Sequence, residues 1–200
     1  MRTTLYSFLL ILSLLTIRVS AQDVNGQLNT ATTSYASGDL ENARFSLQEA
    51  LNGVNQAIGQ DILNLLPASL GEMNVVAGSD NVTGTNMGFA GLYVNRDYQK
   101  DTIRDASLEI ISDSPMLATV NSLLTMSTMF VSDPNQKRIK IGSYKALLTK
   151  SEYNDVVSYD IQMPFGNSML TLETNGISDE AEVTGLVNSL PIAEIVKLAQ

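Results

Sequence analysis

The stretch Val156–Asn175, VVSYDIQMPFGNSMLTLETN, decides the fold. Gly166-Asn167 at its centre is a dipeptide suited to closing a two-residue hairpin turn. Such a turn pairs Phe165 with Ser168, Met163 with Leu170, Ile161 with Leu172 and Tyr159 with Thr174. That register gathers the apolar residues of both arms on one face. Slipping by one residue sets Met163 against Met169 and Ile161 against Thr171, dividing the apolar set between the faces. The hairpin is therefore well specified, although nothing in it names a function.

The first residues concern destination rather than fold. Arg2 precedes an apolar run from Leu5 to Ile17, and Val19-Ser20-Ala21 offers small residues before a cut at Gln22. The run is short of the roughly 20 residues a spanning helix needs. Residues 1–21 are thus expected to be a cleaved signal peptide, and no cysteine follows to carry a lipid. Losing Arg2 and Arg18 takes the formal charge from −9 to −11. So acidic a chain does not suit a nucleic-acid backbone or an anionic membrane surface. With no cysteine there is no disulfide framework. Export without disulfides points to the bacterial periplasm, with the extracellular space as the alternative. No integral membrane segment is expected after cleavage.

Residues 22–67 read as a helical segment. Val24, Leu28, Ala31 and Tyr35 recur at helical spacing, Gly38 closes that helix and Asp39 caps the next. Ala43, Leu47, Ala50, Leu51, Val54 and Ile58 are then expected to form one apolar stripe, and a further short helix runs from Asp61 to Leu66 before Pro67. Tyr35-Ala-Ser-Gly-Asp-Leu-Glu-Asn-Ala43, with Leu47 and Ala50, resembles the turn of a tetratricopeptide repeat, without a second copy. Residues 68–88 are a Gly- and Asn-rich connection with room for a short strand at Met73–Ala77. Asn81-Val82-Thr83 matches the glycosylation triplet, for which chance suffices in a chain rich in Asn and Thr.

Residues 89–200 read as an antiparallel α+β domain. Phe89–Tyr98 and Ile103–Ile111 form a second hairpin with Leu92, Val94, Ala106, Leu108 and Ile110 inward. Tyr93, Asn95, Asp97, Asp105, Ser107 and Glu109 share the other face, and the loop must have an odd length, for example Lys100-Asp101-Thr102. Ser114 and Pro115 begin an uncharged helix to Ser132 that packs on the sheet, with Met116, Met126 and Met129 as adaptable core filler. Arg138–Ile141 and Tyr144–Thr149 read as strands whose parity changes at Gly142, by a bend or bulge. Ser178 caps a closing helix, and Pro191 begins a last turn from Ile192 to Leu198.

The expected fold class is α+β: an N-terminal helical hairpin followed by a mainly antiparallel sheet packed against two helices. Ile139-Lys-Ile-Gly142, Tyr144–Leu148, Tyr159–Phe165, Ser168–Leu172 and the helix from Ser178 resemble a small α/β sandwich of the Mog1/PsbP-like kind. The resemblance leaves out the N-terminal helices. By analogy of fold it implies a binding or assembly module.

The residue inventory removes much chemistry. There is no histidine and no cysteine, so the usual neutral-pH base, thiolate catalysis and standard zinc sites are missing. Ser-x-x-Lys, Gly-x-Ser-x-Gly, Gly-x-Gly-x-x-Gly, the phosphate-cradling Gly-Lys-Ser/Thr loop and the calcium-loop pattern do not occur. No cofactor is expected. Two surface candidates remain. One is the polar hairpin face with Asn95, Asp97 and Asp105, where Tyr93 and Tyr98 could make a ligand-contact surface. The three-residue loop sets Asp97 opposite Asp105 and Asn95 opposite Ser107, and paired carboxylates can hold a cation or act as acid and base. A solvated sheet face beside Arg96, Lys100 and Arg104 is the plainer alternative. The other candidate is the cluster of Arg138, Lys140, Lys145 and Lys150, which suits an anion or simply protects a sheet edge.

These readings lead to a non-enzymatic envelope protein that binds a protein partner or supports an assembly. The first alternative is a small-ligand binder with a pocket between the sheet and the helix after Ser114. The second is a carboxylate-dependent hydrolase using Asp97 and Asp105.

Overall fold

Asp23 caps α1 (Val24–Ser37) by accepting from the Gly26 N–H at 3.0 Å. Gly38 ends α1 in the left-handed region at φ 82°. Asp39 then caps α2 (Leu40–Leu65) through the Asn42 N–H. The computed structural model describes residues 23–83, 91–126 and 133–199. The leader, the last residues of the connection, Phe89 and the C-terminal part of the helix expected to reach Ser132 lie outside these described residues.

The short helix expected at Asp61–Leu66 is not separate. Gly59 is tolerated inside a helix, so α2 runs unbroken until Leu66 turns extended before Pro67. Within α2 the expected apolar stripe divides. Ala43 and Ala50 are buried, whereas Leu47, Leu51 and Val54 are exposed.

The connection supplies three short strands, β1 (Ser69–Leu70), β2 (Met73–Val75) and β3 (Asn81–Thr83). Then come β4 (Tyr93–Gln99), β5 (Asp105–Ser112), α3 (Leu117–Thr125), β6 (Gln136–Ile141), β7 (Tyr144–Tyr153), β8 (Val156–Phe165), β9 (Ser168–Asn175), α4 (Glu180–Asn188) and α5 (Ile192–Leu198). The described strands form one antiparallel sheet of nine, in the order β1-β2-β4-β5-β9-β8-β7-β6, with β3 also paired to β4. The protein is thus α+β, a helical hairpin followed by an antiparallel sheet.

The β8–β9 ladder has the expected register: Phe165↔Ser168, Met163↔Leu170, Ile161↔Leu172 and Tyr159↔Thr174. The parity change at Gly142 comes from a tight turn rather than a bulge, since Ile141 pairs directly with Tyr144 and Gly142 has φ 56°. At the closing helix the cap is Asp179, one residue after Ser178, because its carboxylate accepts from the Ala181 N–H at 2.9 Å.

The β4–β5 hairpin keeps the expected parity but not the expected pairing. Asp97 faces Ser107, Asn95 faces Glu109 and Asp105 faces Gln99. The connecting loop has two more residues than the example. Asp101 Oδ1 accepts from the N–H groups of Ile103 and Arg104, and the Lys100 N–H reaches the Arg104 carbonyl. An Asp-centred turn therefore absorbs Ile103 and Arg104 that the sequence reading placed in a strand.

One sheet face carries the main core. Val94, Tyr98, Leu108, Ile110, Leu148, Ile161, Met163, Leu170 and Leu172 lie beneath the C-terminal half of α2 and beneath α4 and α5, which contribute Ile62, Leu63, Val183, Val187, Ile195 and Val196. Buried tyrosine hydroxyls tie helix ends to this layer: Tyr98 donates to the Pro67 carbonyl and Tyr159 to the Ser178 carbonyl. Arg96 lies on the helix side as well. Its guanidinium bonds the Leu66 carbonyl and both oxygens of Asp80, and that ion pair holds the Asp80 carboxyl below its ordinary value.

The opposite face carries a second cluster, in which Val120 and Leu124 of α3 meet Leu147 and Met169. The helix expected from Ser114 starts at Leu117, and at its other end Thr125 turns its hydroxyl back onto the Asn121 and Ser122 carbonyls. Met116 and Met126 are exposed at the ends of α3, not core filler, because its buried stripe falls on Val120 and Leu124. The two helices expected on the sheet therefore lie on opposite faces.

Where α2 crosses the sheet, a Cβ on Gly59 would run into Val82 Cγ1 and come within 3.1 Å of Leu92 Cδ1. Helix propensity alone would favour alanine by about 1 kcal/mol. Overpacking costs about 1–3 kcal/mol and wins here. Gly59→Ala should lower the urea midpoint, whereas Gly185→Ala, with no atom within 4 Å of its Cβ, should raise it. Stabilisation by both substitutions would contradict the close crossing.

Candidate functional site

The polar face of the sheet is best described in rows. On adjacent strands β4, β5, β9, β8 and β7, one row reads Asp97, Ser107, Glu173, Asp160 and Thr149. The next reads Asn95, Glu109, Thr171, Gln162 and Leu147. Alternation puts these residues on the side away from the main core. Between this face and the segment leading into α3 lies a trough of about 380 Å³. Glu109, Asp160 and Glu173 give it three carboxylates, Gln162 and Thr171 add neutral polar groups, and Ile111, Met116 and Met169 make an apolar wall.

Asp160 is the most perturbed group there. Burial, with repulsion from Glu173 and then Glu109, pushes its carboxyl up to about 6. Its Oδ1 is buried and has no hydrogen-bond partner among the described residues. Nearby, Tyr93 donates to Glu109 Oε1 at 3.0 Å. Burial first, and then that carboxylate, push the Tyr93 hydroxyl up to about 12, so it remains a donor at physiological pH.

The sequence-based candidates are distributed differently from expectation: Tyr98 is no ligand contact, since its even-numbered parity turns it to the helix side, where it is fully buried. Tyr93, Asn95 and Asp97 do share a face and a network: Asp97 Oδ1 accepts from Ser107 Oγ at 2.8 Å and from Asn95 Nδ2 at 3.2 Å. Asp105 is not the partner of Asp97; it accepts from Asn175 Nδ2 at 2.8 Å. Among the flanking cations, Arg96 sits on the opposite face, Lys100 pairs with Glu72, and Arg104 pairs with Glu182. Arg138 and Lys140 lie on edge strand β6, with Lys140 directly opposite Lys145. Lys150 pairs with Tyr159 in register and so belongs to the other face. Arg138 Nε and Nη2 are buried without a hydrogen-bond partner among the described residues.

Asp160, Gln162 and Glu173 were not among the sequence candidates. Their signal was present in the opening hairpin, whose register puts Asp160 opposite Glu173. Nothing local indicated that α3 would sit beside them.

The arrangement fits an extended organic cation better than a bare ion. Among the described residues no three acidic side chains converge to hold a metal ion. Carboxylates spread over rows of a sheet, whose strands lie about 4.8 Å apart, can instead meet an ammonium group at one place and leave the apolar wall for the rest of a ligand.

The fold and trough define the chain as an α+β protein with a half-covered acidic sheet face. No protein-family model matches it, and no curated protein does either. A crystal structure from Bacteroides thetaiotaomicron VPI-5482 is similar at a TM-score of 0.36 and 9% identity, over 62% of this chain and 46% of that one.

The Asp160 carboxyl has a folded-state value of about 6 against an ordinary 3.8, so proton binding favours the folded state. Its contribution is complete below pH 3.8 and lost as pH rises through about 6. Asp160→Asn should therefore match the parent at pH 4 and exceed its stability by about 1–2 kcal/mol at pH 7, allowing for partial exposure. Parallel stability curves for the two proteins across that range would show that Asp160 is not strained.

Proposed function

We propose that this chain is an exported, periplasmic binding protein without catalytic chemistry, and that its ligand is a small organic cation seated in the trough beside α3. The trough carries the reading. Its volume lies within the usual range for small-ligand sites, and it is lined by both an apolar wall and acidic groups. The apolar leader and the missing histidine and cysteine support export and a non-catalytic role. The resemblance to Mog1/PsbP-like sandwiches belongs to the same reading, since it implies a binding or assembly module. Among the described residues no helix is long and apolar enough to cross a membrane.

The hydrolase alternative needs Asp97 and Asp105 side by side, and the register gives each a different neighbour. Asp97 is also engaged by two neutral donors on its own face. The protein-partner alternative draws on another surface, the N-terminal helical arm.

Calorimetry at pH 7.5 with linear diamines and aromatic amines should show binding that weakens as salt rises. Glu173→Gln should weaken it about two- to five-fold, as expected for loss of one exposed charge contact. Undiminished affinity in that variant, or preference for the matching carboxylic acids, would refute the site. In fractionated cells a processed chain beginning at Gln22 should be found in the periplasm. Full-length chain confined to the cytoplasm would overturn the export part of the reading.

A further inference from the structure

The arm made by α1 and the first half of α2 is built inside out. Its internal contact uses small residues: Ala31, Ser34, Ala43, Ser46 and Ala50 are buried there. Leu28, Tyr35, Leu40, Leu47, Leu51 and Val54 are instead between 42% and 71% exposed. Among the described residues the arm has little else to bury them, because α1 packs on α2 and has no substantial contact with the sheet.

These six side chains share one surface. At 3.6 residues per turn, Leu28 and Tyr35 lie about 80° round α1 from its contact line with α2. Leu40, Leu47, Leu51 and Val54 lie about 60–120° round α2 from the same line, in the same rotational sense. In an antiparallel pair, equal senses bring the two sets to one side of the hairpin. Phe45 falls on the opposite side. Further along α2, Ile58 continues the stripe into a shallow groove that it shares with Leu198 of α5.

Area and charge narrow the occupant. The six residues expose on the order of 600 Å², and a polar rim brings this near the roughly 800 Å² per partner of a standard interface. Two copies of an acidic chain repel where their carboxylates meet, yet α1 carries no charged residue at all. From Val24 to Val54 the charged residues are Asp39, Glu41, Arg44 and Glu49 in a chain of net −9. This is the part of the surface that a second copy approaches at least electrostatic cost.

We propose that the apolar side of the α1–α2 arm is a homodimer interface. Two arms pair across a two-fold axis into a four-helix bundle, with small residues inside each hairpin and large ones between hairpins. The interface is independent of the acidic trough.

Sedimentation equilibrium of the purified protein should give a dimer. Leu47→Glu with Leu51→Glu should raise the dissociation constant at least about a hundred-fold, by burying charge at the centre of the contact. Circular dichroism should show that the helices remain. Phe45→Ser should leave the dimer unchanged. The natural chain has no cysteine, so single replacements supply a second readout that does not depend on disrupting the fold. Leu47→Cys or Leu51→Cys should form disulfide-linked dimers on mild oxidation, whereas Phe45→Cys should not. A monomer at all concentrations, a monomer that captures some other protein through this face, or a dimer that cross-links best through Phe45→Cys would each overturn the proposal.

Discussion

The sheet depends on β9. That strand forms one ladder with β8 and another with β5, both without a break in register. Each of its residues is therefore assigned to a face twice over. Leu170 and Leu172 point to the helices, and Met169, Thr171 and Glu173 point away. A shift of one residue in either ladder would put leucines in the trough and a glutamate in the core, at several kcal/mol for the buried charge alone. Each tight turn, at Gly142 and at Gly166, transmits this assignment to the next strand.

The two faces are completed to different degrees. Three helical segments seal one of them, and even its tyrosine hydroxyls find carbonyl partners. On the other, α3 has nine residues and covers Leu147 and Met169 but leaves a trough beside them. Among the described residues the carboxylates beside that trough have no cation partner, and Glu109 and Asp160 are half-buried. The rise of the Asp160 carboxyl follows from this intermediate position. Arg96, Arg104 and Lys137 stand on the helix side of the sheet, where they pair with Asp80, Glu182 and Glu180.

The N-terminal arm shows a similar division of labour. Small residues let α1 and α2 approach closely, with Asn42 donating to Ser34 Oγ at 2.7 Å between them. Close approach leaves no interior for leucine side chains, so they are displaced to the flank. At its far end α2 does the reverse, inserting Ile62 and Leu63 into the sheet core. One helix thus anchors the arm with its C-terminal half and presents an apolar surface with its N-terminal half.

Much of the architecture was legible because it is local. Periodicity, the Gly166-Asn167 turn and the Gly38-Asp39 junction together determine the hairpins, the helical N-terminus and the inward residues of most strands. Parity survived even where the loop length did not: Leu92, Val94, Ala106, Leu108 and Ile110 are all buried although the β4–β5 pairing moved by two residues. The candidate site was less legible, since opposition across a sheet depends on loop geometry and Asp97 lost Asp105 to one Asp-centred turn. Apolar spacing also could not say which leucines of α2 face a neighbour, because Ala and Leu occupy adjacent flanks of the same helix. The sequence by itself determined which residues alternate, where the chain turns and which catalytic groups are missing. Only the tertiary structure decided which face each helix covers, and hence that Asp160, Glu109 and Glu173 stand together beside a trough, because that depends on contacts between segments far apart in the chain.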